Sequence, residues 1–386
     1  MPLPAVTAQR AILAAFVASG MLAVVWVARL PAIRDSLGLT PSEVGLVLLA
    51  TAVGSIASIT VVGRIAVAFG SDAVLRWSLP LMAAGALGLG LSAGYPALLA
   101  TAAVTGVFLG ATDVTMNSQA SLIERTSGRR VLAGMHAGWS FGSALGAGLA
   151  AATAAMGVPV AVTMLVAALL VVVTWSATQR SYIPDAASGS AREKRILHIR
   201  LPRMILVIGT VMMLAYLIEG AVAGWSTLYL HDEFGLTAWL AAVGYLAYEL
   251  AMVTGRLAGD RSRHRWGDRR AVVAGSGLAT VGLALVLVAP GSPVAVLGLV
   301  VVGLGQSVVV PIAFAAAGML APSVAAAAIA RVGGFGYAGM LAGPAAFGVI
   351  AQATSLRAGF LALLVLAAVM TMTAGRAVTT AAAAQH

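Results

Sequence analysis

The 386-residue chain has no cysteine and a single lysine, Lys194. The first absence removes disulfide frameworks and thiolate metal sites. The second removes the P-loop, whose G-x-x-x-x-G-K-[ST] pattern needs a lysine at the nucleotide phosphates; Lys194 lies in a polar stretch between apolar runs. No H-E-x-x-H pair offers ligands to zinc, no serine is expected on a nucleophile elbow, and no selectivity-filter repeat occurs. Charge is scarce: Asp, Glu, Lys and Arg make up 9% of the chain, and aromatic residues 6%. These absences point away from an enzyme and from any metal or cofactor.

What fills the chain is apolar sequence, 60% of its residues. A bilayer-spanning helix needs roughly 20 mostly apolar residues. Backbone groups in lipid must be satisfied internally, so spans are helices or a closed barrel. The runs here are long and continuous, which reads as helix. Twelve spans are expected, at 10–30, 43–63, 77–95, 97–123, 134–156, 158–177, 204–230, 237–257, 271–289, 294–318, 332–353 and 357–375. Arg10 ahead of the first run resembles the start of a signal peptide. The run continues to about Leu30 with eleven more behind it, so it reads as an uncleaved first helix.

Charge sets the orientation. With both termini in the cytoplasm, the outer segments hold only Arg29, Arg34 and Arg357, and the other 20 of the 23 Lys and Arg residues are inside. That asymmetry is the positive-inside pattern of a multi-pass inner-membrane protein. The net charge of +10 is then a basic face turned to anionic headgroups, with no call for nucleic acid.

The chain also reads as a duplication. Six spans precede and six follow the polar stretch 178–203, which has the composition of a cytoplasmic linker. The halves are 1–177 and 204–386. Gly63-Arg64 is echoed by Gly255-Arg256, and Phe69-Gly70-Ser71-Asp72 by Trp266-Gly267-Asp268-Arg269. Gly142, Gly146 and Gly148 in span 5 are matched by Gly336, Gly339 and Gly343 in span 11. Small residues let helix backbones approach closely in lipid. Two six-helix halves around a midplane site is a transporter architecture.

The few polar residues inside the spans are the candidates for chemistry, because a carboxylate at the bilayer centre costs at least ~2.5–3.5 kcal/mol. Asp113, Glu219 and Glu249 stand out for proton coupling, against the alternative of buried pairs that only fix packing. Asp113, Asn117 and Ser121 form an i, i+4, i+8 stripe that Glu124 and Arg125 finish. His136, Trp139, Ser140 and Ser143 share a face of span 5, where His136 is either a proton relay or a structural histidine. Tyr216 neighbours Glu219, with Ser226 two turns on; Tyr245, Tyr248, Glu249 and Met252 share a face of span 8. Gln306 and Ser307 precede Pro311, which permits a hinge or a bend. Asn117, Trp139, Tyr216, Tyr245, Tyr248 and Gln306 are candidates for substrate contact. Arg29 either holds an anionic substrate, closes an outer gate against Asp35 or Glu43, or snorkels to the headgroups. Trp225 and Tyr229 read as aromatic-belt anchors.

At this point the chain resembles the major facilitator superfamily, and within it a bacterial branch similar to fucose permease. The resemblance covers nearly the whole sequence. It rests on Asp113-Val114-x-Met116-Asn117-x-Gln119 with Glu124-Arg125, on His136-x-x-Trp139-Ser140-x-Gly142, and on Gly336-Tyr337-x-Gly339-x-x-x-Gly343-Pro344 with Gly348. Gly255-Arg256-x-x-Gly259-Asp260-Arg261, followed by Gly267-Asp268-Arg269-Arg270, resembles the superfamily's loop signature. Its first-half copy is eroded, with Val67 at the usual Asp position. The resemblance therefore implies an inner gate resting on Arg256, Asp260, Arg261 and Arg269. In span 7, Glu219-Gly220-Ala221 and Trp225-Ser226 fit the branch, but Gly224 takes an acidic position. Glu249 stands where a small or neutral residue is the rule, and no acid lies between Ala11 and Ala28.

The expectation is an all-α integral membrane protein of twelve transmembrane helices in two six-helix bundles. It would act as a monomer, moving a small-molecule substrate by alternating access with protons as the coupling ion. A proton-driven exporter of a drug or amphiphilic metabolite is the first alternative. A non-transporting membrane sensor of the same fold is the second.

Overall fold

The structure is a computed structural model that describes residues 3–128, 131–185, 204–320 and 325–383. Every regular element among the described residues is helical. The order is α1 Leu3–Val25, α2 Leu30–Leu37, α3 Pro41–Phe69, α4 Ser71–Leu91, α5 Tyr95–Ser127, α6 Leu132–Ala155 and α7 Val160–Thr178. There follow α8 Met204–Phe234, α9 Ala238–Val288, α10 Ser292–Gln306, α11 Val309–Leu320, α12 Ala325–Ala353 and α13 Leu356–Ala383. Eleven helical segments among the described residues are long and apolar enough to cross a membrane. The helix α6 is 24 residues long but is not among the eleven, because glycine, serine, His136 and Trp139 dilute its apolar character.

Local chemistry explains the helix limits. Thr40 caps α3 in a capping box: its hydroxyl accepts from Glu43 N at 3.3 Å, and its own N–H donates to Glu43 Oε2 at 2.8 Å. Pro41 opens the same helix, where a missing N–H costs nothing. Four of the expected spans differ from what is found. The run 10–30 stops at Val25 and turns through a 3-10 segment, Val27–Arg29, before α2. The spans 237–257 and 271–289 are joined in the continuous α9, broken in backbone geometry only at Gly267. The run 294–318 divides after Gln306; Pro311 has no N–H to give the carbonyl of Ser307, and the chain re-enters helix at Val309.

The chain forms two compact units, Met1–Ser190 with Thr237–Leu246, and Ala191–Leu236 with Ala247–His386. In the first, α6 packs on α1, α3 on α5, and α4 on both α5 and α7. Bare backbone makes the α1–α6 seam. A Cβ added at Gly142 would strike Val17 O, and one at Gly146 would strike Met21 O. In the second unit α8 packs on α12, and the pattern repeats with Gly339 over Met213 O and Gly343 over Leu217 O. Both seams pair glycines four apart with carbonyls four apart, one helical turn on each side. Trp225 and Tyr229, expected as belt anchors, are instead buried at 1% and 0% exposure. Trp225 stacks on Phe347 with centroids 4.9 Å apart, and its indole N–H donates to Pro344 O at 3.0 Å. Tyr229 lies 4.3 Å from Phe360. This aromatic cluster is core because α8 carries apolar residues all round and is enclosed by α12 and α13.

A glycine corner with positive φ and extended ψ is found in each unit among the described residues. Gly70 (φ 93, ψ 145) separates α3 from α4, and Gly267 (φ 75, ψ 158) breaks α9. Both fall where only glycine is free of strain. At the first corner the helix N-terminus is capped by a residue far along the chain: Ser71 N donates to Asp185 Oδ1 at 2.6 Å and Ser71 Oγ to Asp185 Oδ2 at 2.7 Å. Gln119 of α5 completes the latch. Its amide donates to Ser71 Oγ and to Ile183 O, both at 2.8 Å, and accepts from Ile183 N at 2.9 Å. Arg76 donates to Gln179 O at 3.3 Å while pairing with Asp72 at 3.1 Å. Residues 179–185, expected to open the linker, are thus a strap across the end of the first unit. Burial pushes the Tyr182 phenol within it up to about 12, partly offset by the Thr178 hydroxyl and the Arg76 charge. The remainder of the expected linker, 186–203, lies outside the described residues.

Candidate functional site

The second unit gathers most of the polar candidates. Arg256 Nη2 of α9 pairs with Glu219 Oε1 of α8 at 3.3 Å, with both side chains partly exposed. Glu249 lies seven residues before Arg256, two turns along the same face of α9, and is itself buried. The Tyr248 hydroxyl is buried within the electrostatic reach of Glu219, Glu249 and Arg256. Gln306 at the end of α10 donates to Ala215 O of α8 at 3.3 Å, one turn before Glu219, and its Oε1 has no partner among the described residues. Tyr216 is held by α12, where a Cβ at Gly336 would meet its ring at 2.7 Å. Two carboxylates and one guanidinium therefore share a partly buried region of α8 and α9. Arg256, expected at an inner gate, is brought to a carboxylate of the transport candidates.

In the first unit the stripe on α5 closes on itself. Asn117 Nδ2 donates to Asp113 O at 2.8 Å and to Asp113 Oδ1 at 3.2 Å. His136 is exposed on α6 and meets the Phe16 ring edge-on at 5.5 Å. Trp139 is half-buried, and its carbonyl lies against Gly20 of α1. Tyr245 is fully buried in the part of α9 that belongs to this unit. Residues 138–142 spell G-x-S-x-G, yet they sit in the middle of a helix with Ser140 buried and its hydroxyl donating to His136 O at 3.2 Å. A nucleophile elbow needs a strand-to-helix turn, which is absent here.

Arg29 neither snorkels nor meets Asp35 or Glu43. It is 5% exposed, and its Nη2 donates to Val158 O at 2.7 Å. Its Nε and Nη1 have no hydrogen-bond partner among the described residues. Asp35 instead pairs with Arg34 at 2.8 Å, and Glu43 is held in the capping box. Of the expected gate residues, Arg261 and Arg269 are exposed, while the Asp260 side chain lies outside the described residues. The ion pair that does form at that corner joins Arg263 and Asp268, at 2.8 and 3.1 Å. Arg263 counts in the sequence only as one of the inner-side arginines; neither its pair with Asp268 nor the Asp185–Ser71–Gln119 latch was expected. Sequence reasoning also left unassigned the role of Glu124, whose Oε1 caps the start of α6 by accepting from Val131 N at 2.7 Å and Leu132 N at 3.0 Å. An acid beside the helix start, as in Glu124 before Leu132, was the one available signal.

A family model described as the Major Facilitator Superfamily matches residues 11–265. The chain belongs to the Major Facilitator Superfamily. An uncharacterized MFS-type transporter of Yersinia pestis is 32% identical over 363 residues, covering 92% of each chain. An uncharacterized transporter of Sinorhizobium fredii is 31% identical over 366 residues, covering 92% of this chain and 94% of the relative. The membrane protein MosC of Rhizobium meliloti is 27% identical over 341 residues, covering 88% and 83%. Among solved structures, a mutant of the nucleoside transporter NupG superposes with a TM-score of 0.80 at 12% identity, covering 96% of this chain and 99% of that one. A bacterial homologue of the lysosomal transporter Spinster gives 0.72 at 11% identity, covering 96% of each. These likenesses show the fold. As an MFS transporter the protein is a multi-pass membrane protein and not an enzyme.

Proposed function

We propose that the protein is a proton-coupled secondary transporter that moves a small organic solute across the cytoplasmic membrane by alternating access. The observation that supports this most is the partly buried charge cluster of Glu219, Arg256 and Glu249 beside the Tyr248 hydroxyl. Carboxyl groups inside membrane spans are costly and mark proton pathways. A proton on Glu219 also frees Arg256 to seek another partner, which links protonation to a rearrangement of α8 against α9. Asp113 with Asn117 is a second candidate for the proton or the solute, and His136 a relay near the inner mouth. Trp139, Tyr216, Tyr245, Tyr248, Gln306 and Arg29 contribute solute contacts. Because few cations lie among these groups, the solute is neutral or cationic rather than dianionic.

In this reading twelve helices form two six-helix halves, 1–177 and 204–386, with both termini in the cytoplasm and the protein acting as a monomer. Arg256, Asp260, Arg261 and Arg269 govern the inner gate. The fucose-permease-like branch is its place within the superfamily, on the strength of the span 4, 5 and 11 motifs. The test is proton movement in proteoliposomes carrying an interior pH dye, with a panel of sugars, nucleosides, amines and antibiotics. Solute-dependent pH change is expected in the wild type and lost in Glu219→Gln or Glu249→Gln. Labelled solute that equilibrates with no proton movement would make the protein a uniporter and return these acids to packing.

A further inference from the structure

The first unit carries a groove of about 450 Å³ between α6 and α7, floored by α1. It exists because α7 packs on α4, whereas α6 is drawn onto α1. The glycine contacts at Val17 and Met21 leave α6 no freedom to slide across and fill it. The floor is one face of α1: Arg10, Leu13, Val17 and Met21 recur at helical spacing, with Leu145 and Leu170 as walls. The walls are apolar throughout. Thr174, the one hydroxyl in the lining, turns back to its own helix and donates to Leu170 O at 2.8 Å.

One charge marks one end. Arg10 is exposed and has no ion-pair partner among the described residues. From Arg10 to Met21 the helix rises about 16 Å at 1.5 Å per residue, about half of the ~30 Å hydrocarbon core. An apolar groove one leaflet long with a guanidinium at its membrane-surface end matches one kind of molecule: an acyl chain lies along the groove and an anionic headgroup meets the arginine.

We propose that this groove is a binding site for one anionic phospholipid, its phosphate on Arg10 and an acyl chain along Leu13, Val17 and Met21. A guanidinium presents a fork of donors that fits a phosphate oxygen pair. A zwitterionic lipid brings its own ammonium to the same place and gains less. Assignment to the inner leaflet rests on the proposed topology with the amino terminus in the cytoplasm; lipid binding is measured without any transport, so the two readings fail separately.

The test is native mass spectrometry of the purified full-length protein released from detergent, offered equal amounts of phosphatidylglycerol and phosphatidylethanolamine. The wild type is expected to retain one phosphatidylglycerol in preference by about tenfold, the size of one charge-assisted hydrogen bond. Arg10→Gln should bring that ratio near one. Arg125→Gln, an exposed arginine outside the groove, should leave it unchanged. Leu170→Trp, on the exposed wall, should lower retention of both lipids, with unchanged thermal unfolding showing that each variant is folded. Equal retention of the two lipids by the wild type would overturn the proposal. So would a preference that survives Arg10→Gln, or displacement of the lipid by a transported solute, which would make the groove part of the solute's path.

Discussion

The corners at Gly70 and Gly267 share a backbone and differ in what holds it. Their φ and ψ agree within about 20°, and each sits between a helix end and a helix start. At Gly267 the fastening is local: Asp268 reaches back five residues to Arg263, and both side chains remain partly exposed. At Gly70 it is remote: the residue after the glycine is Ser71, which has no charge of its own, and the acid comes from Asp185, 114 residues away. A half-exposed ion pair is worth little. A buried serine and glutamine held by several hydrogen bonds are worth more, because removing one partner leaves the others unsatisfied. The two corners thus share a shape, held at one by a neighbour five residues away and at the other by the strap that follows α7.

The comparison is broken most severely at Gln119. Gln119→Ala removes three hydrogen bonds and strands Ile183 N and O, so a loss of about 2–3 kcal/mol is expected, read as a lowered unfolding temperature of the detergent-solubilised protein. Asp185→Ala removes the helix cap and is expected to cost about 1–2 kcal/mol; hydrogen exchange should rise at the N-terminal end of α4 and not at α9. Gly70→Ala and Gly267→Ala sharpen the likeness, because each forces the same disfavoured backbone; equal losses of about 1–3 kcal/mol are expected in thermal unfolding. Asp268→Ala should cost no more than about 1 kcal/mol. If it proves more damaging than Asp185→Ala, the contrast between local and remote support is wrong.

A further dependence is expected only at alkaline pH. Tyr182 ionises only at about 12 in the strap, against an ordinary value of 10. A raised folded value means that its contribution is complete below pH 10 and is lost as pH rises through 12. Alkaline titration of the wild type should therefore loosen the strap in that window, followed by exchange at Ile183 N, and Tyr182→Phe should remove the dependence.

Much of this was legible in the chain before any coordinates. The apolar runs located the helices because lipid forbids unsatisfied backbone, and the paired glycines of spans 5 and 11 proved to be the two backbone seams. The echo between Phe69-Gly70 and Trp266-Gly267 correctly marked matching corners. Composition misjudged residues 179–185, which look polar enough for a linker; the apolar pair Tyr182-Ile183 inside them was the hint that this segment has somewhere to pack. Burial was misjudged at Arg29, Trp225 and Tyr229, whose types favour membrane interfaces on average but whose neighbours enclose them here. The Glu219–Arg256 pair was invisible for another reason: its members are 37 residues apart, and no periodicity within one helix relates a residue to its partner on the next.

A side chain in a packed core can be exchanged for another of similar volume. Bare backbone resting on bare backbone has no such substitutes, since the smallest available change is a whole methyl group placed on a carbonyl oxygen. At Gly142, Gly146, Gly339 and Gly343 the chain can drift to no other residue type without prising two helices apart. Exposed positions on the same helices, such as Phe141 and Val349, carry no such constraint. Variation in this fold is therefore rationed by facing direction: one residue along, about 100° of helix rotation, separates Gly142, which must stay glycine, from the exposed Phe141.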